Sequence, residues 1–284
     1  MCRMSPLAAT ALGLTLIASP ALAFGKREPA KPQAAPAAAQ TQTAEPAPRR
    51  KAAAEERARV ARLDPLARAA FWTNEAQIDP ADAEAGIQMA VAMRQMGNYP
   101  EAVAAADQVL VSHPNNVEAM LEIARAHVAR GQGFYAIEPA RKAQALAPRD
   151  WRIPSLLGVA YEQASRPDEA RAAHEQAIAL APHSAVALSN YALFRAAHGE
   201  TREAEALLRQ AAALPDATIS VRQNLALVLG LQGRIAEAER LARQDLPPQT
   251  VENNLAWLRA ATAPASTASG AAATARSWES LRQP

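Results

Sequence analysis

Cysteine is nearly missing from this sequence, and the one copy, Cys2, stands ahead of the apolar run Leu7 to Ile17. If the run is a leader that is removed, the remaining chain has no thiol, which excludes disulfides and thiolate metal ligands. Long apolar stretches are absent too. The run at the N-terminus falls short of the roughly 20 apolar residues that a membrane-spanning helix needs. There is no glycine-rich phosphate loop, and a formal net charge of +2 is too close to zero to imply nucleic acid as a partner.

The ends read as segments outside any folded core. Arg3, the apolar run and the small residues ending Ala21-Leu22-Ala23 have the three-part layout of a secretory signal peptide over residues 1–23, cleaved before Phe24. A lipid anchor would need a cysteine at that junction, which holds Ala23-Phe24 instead. Residues 24–61 form a Pro/Ala-rich and then basic linker ("KPQAAPAAAQTQTAEPAP", then "RRKAAAEERARVAR"), expected to be mostly disordered because it cannot bury enough surface to offset ordering. The basic part reads as a solvated linker or helix, with a contact to membrane or cell wall as the alternative. The Ala/Ser/Thr tail, 262–284, reads as disordered in the same way.

What is present is a period. Pro80, Pro114, Pro148 and Pro182 recur every 34 residues. In the same phase run Gly97, Gly131, Ser165, Gly199 and Gly233, then Ala102, Ala136, Ala170, Ala204 and Ala238, and a third small column, Ala90, Ala124, Gly158, Ala192 and Ala226. The small columns mark places where two antiparallel helices cross closely. The glycine column marks a left-handed turn between them, and each proline ends the second helix by forcing the preceding residue out of helical geometry. The spacing predicts an all-α solenoid of antiparallel helix pairs over 62–261, with five repeats at 83–116, 117–150, 151–184, 185–218 and 219–252. "LDPLARAAFWTNEAQIDP" (63–80) and "VENNLAWLRA" (251–260) are suited to capping helices. Pro139 falls inside a predicted second helix, so a kink or a late start is expected there. Pro215 comes one residue early and Thr250 stands where the last proline would be, which makes the final units less regular.

No catalytic or metal constellation stands out. His127 and His174 occupy columns that take bulky packing residues, His113 and His183 adjoin helix-ending prolines, and His198 precedes a turn glycine. None has a metal-ligand spacing such as H-E-x-x-H. Ser155 and Ser189 lack a nearby histidine to activate them. The residues thus predict no enzyme, no cofactor, no metal and no small-molecule substrate. A stacked array offers a concave groove instead, lined by the first helix of each unit. On that register the candidate protein-binding residues are Arg94, Glu118, Arg125, Arg152, Glu162, Ser189 and Gln223. Their mixture of charge with apolar neighbours suits a peptide or helix carrying both. Arg125→Glu with Arg152→Glu is expected to weaken such binding without unfolding the array, and Asn224, beside Gln223, is expected to be half-buried with a hydrogen-bond partner.

The repeat resembles the tetratricopeptide repeat, with Leu157, Gly158, Tyr161, Ala170, Ala177 and Pro182 in phase with its signature. The stretches "EIARAHVARGQGFYAIEPARKAQALAPRDWRIPSLLGVAYEQASRPDEA" (122–170) and "PDATISVRQNLALVLGLQGRIAEAERLARQDLPP" (215–248) further resemble the TadD family of Flp pilus assembly proteins. That resemblance implies a tight-adherence secretion system, with a secretin or other pilus-assembly component as partner. It also implies work in the periplasm or at the outer membrane. Members of the family are commonly lipoproteins, so the missing junction cysteine implies a soluble periplasmic protein or one tethered to the outer membrane through a partner. The residues themselves equally allow a general periplasmic scaffold for envelope assembly unrelated to pili.

Overall fold

The computed structural model describes residues 50–262. The expected signal peptide, most of the expected linker and the expected tail lie outside the described residues. Within them the chain forms only α-helices: α1 (Ala54–Val60) and α2 (Pro65–Ile78), then the pairs α3/α4 (Ala83–Gln95, Tyr99–Ser112), α5/α6 (Val117–Ala129, Gly133–Leu146), α7/α8 (Arg152–Gln163, Pro167–Leu180), α9/α10 (Ala185–Ala197, Thr201–Ala212) and α11/α12 (Ile219–Leu231, Ile235–Ala242), and lastly α13 (Pro248–Thr262). Each helix packs on its chain neighbours, and each first helix also touches the first helix of the next pair, from α3 through to α13. This is the tetratricopeptide-repeat solenoid, a stack in which every unit buries its apolar face on the next.

The periodic columns have the roles their chemistry requires. Ala90, Ala124, Gly158, Ala192 and Ala226, and likewise Ala102, Ala136, Ala170, Ala204 and Ala238, are all buried. Gly97, Gly131, Gly199 and Gly233 have φ between 75° and 81°, and Ser165 takes the same left-handed turn at φ 58°. In each of these turns the next residue's amide reaches back to the preceding helix, as from Asn98 to the Met93 carbonyl at 2.9 Å and from Arg166 to that of Tyr161 at 2.9 Å. These bonds satisfy carbonyls that a helix end leaves open. Before Pro114, Pro148 and Pro182 the residues His113, Ala147 and Ala181 leave helical geometry, with ψ 71°, 67° and 73°.

A further column went unread in the sequence. Asp82, Asn116 and Ser184 cap α3, α5 and α9 by accepting from the amides of Ala85, Ala119 and Ala187. In the same column Asp150 accepts from the Arg152 amide at 3.0 Å. Asp64, ahead of Pro65, caps α2 through the Ala67 amide at 3.0 Å, and Val251, Leu255 and Leu258 bury the inner face of α13.

Three expectations need correction. Helix α6 runs from Gly133 to Leu146 with Pro139 inside it, neither starting late nor broken. The proline forfeits one hydrogen bond, to the carbonyl of the exposed Tyr135, while Ala136, Ile137, Ala140 and Ala143 anchor both sides of it in the core. The boundary of the last repeat at 252 falls within α13, because α12 ends at Ala242 and Pro248 opens the next helix. Finally, packed structure begins before residue 62. Arg57 of α1 is buried, binding Glu75 at 2.5 Å, Asp82 at 2.7 Å and Glu84 at 2.6 Å, with its guanidinium 5.3 Å from the Trp72 ring centroid. Lys51 closes on Asp82 at 2.5 Å. The chain segment expected as linker is thus fastened across the open edge of the array by one arginine in a cage of carboxylates.

Candidate protein-binding cleft

The inner surface of the array is made by the first helices, and the sequence dictates what they present. Every third or fourth residue of a helix shares a face, so the positions that avoid both the partner helix and the next unit turn inward. Along α5, α7, α9 and α11 these side chains line an open cleft of about 780 Å³, with Arg125, Val128, Arg152, Val159, Val186, Leu193, Ser220 and Gln223 in its wall. Trp151, Ser155, Leu156, Asn190, Ile219, Asn224 and Leu246 complete the lining. Val186 is 42% exposed and Ile219 52% exposed. An apolar shelf therefore faces water on the α9/α11 side, and a wall of paired charges stands on the α5/α7 side.

The charged wall is internally neutralised. Arg94 holds Glu122 at 2.8 Å; Arg125 holds Glu118 at 2.7 Å and also Glu122; Arg152 holds Glu118 at 3.0 Å and Asp150 at 2.6 Å. Three guanidinium groups and three carboxylates alternate in one chain across the first three units. Burial pushes the Glu118 carboxyl up, but Arg125 and Arg152 outweigh it and hold it below the ordinary carboxylate range. Arg152 does the same to Asp150 against a smaller effect of burial.

The remaining junctions of the inner face are neutral. Asn190 Nδ2 donates to Ser155 Oγ at 3.0 Å and Asn224 Nδ2 donates to Ser189 Oγ at 3.0 Å, so the same bond recurs one repeat apart. Each bond is worth about 1 kcal/mol net and fixes the orientation of an amide that lines the cleft.

Of the seven candidates, Arg125, Arg152 and Gln223 lie in the cleft wall. Arg94 and Glu118 belong to the ion-pair chain, and Glu162 lies half-buried on α7. Ser189 is 3% exposed and its hydroxyl is taken by Asn224, so it supports the cleft from behind rather than touching a ligand. The double substitution of Arg125 and Arg152 by glutamate is also not neutral for folding. Arg125 faces Glu122, whose side chain is 2% exposed and is also held by Arg94 at 2.8 Å, and a glutamate at 125 would set a like charge beside that buried carboxylate, which is expected to cost stability. Asn224 is half-buried and partnered. Sequence reasoning missed Trp151, Asn190, Ile219 and Leu246, although Asn190 stands 34 residues before Asn224 and could have been read from it.

Among the described residues no three His, Cys, Asp or Glu side chains gather as a metal site, and no helix is long and apolar enough to cross a membrane. His174 is the one histidine sealed in the core, where burial pushes its imidazole down to about 4.

Comparison with known proteins agrees with this geometry. The family model described as Tetratricopeptide repeat matches residues 218–246. No curated protein matches the chain. Among solved structures, a thermophilic TPR protein of Thermus thermophilus is similar at 25% identity and TM-score 0.56, over 62% of this chain and 98% of its own. PilF of Pseudomonas aeruginosa shares the fold at 21% identity and TM-score 0.52, over 66% of this chain and 85% of its own. With its 34-residue period, its paired helices and the matching unit at 218–246, the described chain has the fold of tetratricopeptide-repeat proteins.

Proposed function

We propose that this chain is a non-catalytic adaptor of the cell envelope whose inner cleft holds a protein segment during assembly of an Flp-type pilus secretion system. The observation that carries the binding role is the cleft itself. Val186 and Ile219 keep apolar surface in water beside the oriented amides of Asn190 and Asn224, and this combination favours a chain offering apolar side chains together with backbone polar groups. The self-neutralised wall of Arg94, Arg125 and Arg152 argues against a highly charged ligand, because such a ligand would first have to break existing pairs. The pilus setting rests on the likeness of 122–170 and 215–248 to the TadD family, and the periplasmic location on the signal-peptide layout of residues 1–23. A secretin or one of its assembly neighbours is then the partner.

Affinity capture from a gently solubilised envelope tests both parts. The intact protein should retain a secretin or another pilus-assembly component, and Val186→Glu with Ile219→Glu should lose it while keeping the helix content. Capture undiminished by those substitutions would move binding away from the cleft. Recovery of only unrelated envelope-assembly proteins would replace the pilus reading with that of a general scaffold.

A further inference from the structure

We propose that the cleft is occupied, when no partner is present, by the chain's own C-terminal segment around Ser277-Trp278-Glu279-Ser280-Leu281, which must be displaced for a partner to bind. This rests on the reading of the cleft as a protein-binding site and adds its regulation.

The argument begins with composition. After Thr262 the sequence runs through Ala, Pro, Ser, Thr and Gly, and its only large apolar side chains are Trp278 and Leu281, three residues apart and flanked by Arg276 and Arg282. Trp and Leu side chains in a small-residue tail have no core of their own to fill, whereas burying them elsewhere is favourable. The cleft offers the matching surface: Val186 and Ile219 exposed, Leu193 and Leu246 half-buried beside them. Trp278 and Leu281 stand three residues apart, so a segment that took up a helical turn on the cleft would present both to it.

Reach is not limiting. Helix α13 lies along α11, with Leu258 packed against Gly230 near the end of α11, so the tail leaves at the far end of the helix whose start lines the cleft. The way back along α11 is about 20 Å, while the chain from Thr262 to Trp278 extends to about 50 Å. A tether of that length holds the segment at an effective concentration near millimolar. An intrinsic dissociation constant of about 0.1 mM, weak for a free peptide, would then leave the cleft about nine-tenths filled and lower its affinity for an outside partner about tenfold.

Disulfide trapping in the full chain tests this. In a Cys2→Ser background, Ser220→Cys on the cleft wall is combined with Ser280→Cys, and Asp168→Cys at the start of the outer helix α8 with Ser280→Cys serves as reference. Under oxidised glutathione the 220–280 pair should close within one molecule at least tenfold faster than the 168–280 pair. Adding Trp278→Ala and Leu281→Ala should bring the two rates together. Equal rates from the outset, or a fast rate that survives the two alanine substitutions, would overturn the proposal. So would a 220–280 link formed between molecules, which would assign the cleft to the tail of a second copy. Fast closure in a protein that captures no partner would sink the adaptor reading alone, and cleft-dependent capture with equal closure rates would sink the tail alone.

Discussion

Gly158 and His174 face each other where α7 crosses α8: a Cβ built on Gly158 would lie 2.5 Å from Cε1 of the imidazole. The same two columns meet in every unit, as Ala90 with Ala106, Ala124 with Ala140, Ala192 with Leu208 and Ala226 with Ala242, each pair within one buried cluster. The third unit accommodates a ring by giving up the methyl group opposite it. Gly158→Ala should therefore destabilise the array by about 1–3 kcal/mol, the usual cost of overpacking. Gly158→Ala with His174→Ala restores the pairing of the first two units and should cost less than the sum of the single changes. Urea midpoints of the four proteins decide it, and strict additivity would show that the two sites are independent.

His174 also predicts a dependence on acid. Neither ring nitrogen has a hydrogen-bond partner, and the ring lies 5.7 Å from that of Tyr191 and 5.4 Å from that of Phe194. Its imidazole titrates at about 4 when folded, against 6.5 for the free group. The unfolded chain binds the proton first, so the contribution is intact above pH 6.5 and is lost as the pH falls from 6.5 towards 4, by on the order of 3 kcal/mol. His174→Leu should flatten that part of the stability profile measured by urea denaturation; an unchanged slope would place the acid sensitivity elsewhere.

Ser165 sits at φ 58° in a column otherwise filled by glycine. A left-handed conformation costs a residue with a Cβ about 1 kcal/mol, so Ser165→Gly should raise the midpoint of thermal unfolding despite the added freedom of the unfolded chain. A lower midpoint would mean that the serine side chain contributes more than its backbone loses.

Arg57 is the fastening of the N-terminal edge. Arg57→Ala leaves Glu75, with a side chain 2% exposed, next to Asp82 without their shared cation, a loss of about 3–5 kcal/mol. Because units of a stack touch only neighbours, amide exchange should quicken in α1 and α2 and stay unchanged in α9 through α11. Uniform quickening would mean that the array unfolds as one cooperative body.

The architecture is readable from the sequence because it is periodic: the columns from Pro80 to Pro182 and from Gly97 to Gly233 mark out the helix pairs by themselves. What could not be read lacks a period. Arg57 reaches partners 18 to 27 residues away across two turns, and nothing in the local sequence distinguishes it from Arg59 or Arg62. Ser189 was misplaced for another reason. Counting positions along one helix finds the inner face but ignores the next unit, whose Asn224 covers that hydroxyl. Pro139 shows the limit of local propensity, since one missing amide is outweighed by four buried anchors around it.

The way the units are joined makes the array an elastic body with two kinds of hinge. On the inner face the first two junctions are held by Arg94–Glu122 and Arg152–Glu118, and the next two by Asn190–Ser155 and Asn224–Ser189. Between the outer helices the order is reversed, with ion pairs Arg171–Glu200 and Arg209–Glu237 at the later junctions. Exposed ion pairs weaken with salt and uncharged hydrogen bonds do not. Raising the ionic strength therefore loosens the Arg152–Glu118 junction on the inner side and the Arg171–Glu200 and Arg209–Glu237 junctions on the outer side, while Arg94–Glu122, whose carboxylate is 2% exposed, is screened little. Small-angle scattering across a salt series would register this as a change of curvature at constant helix content.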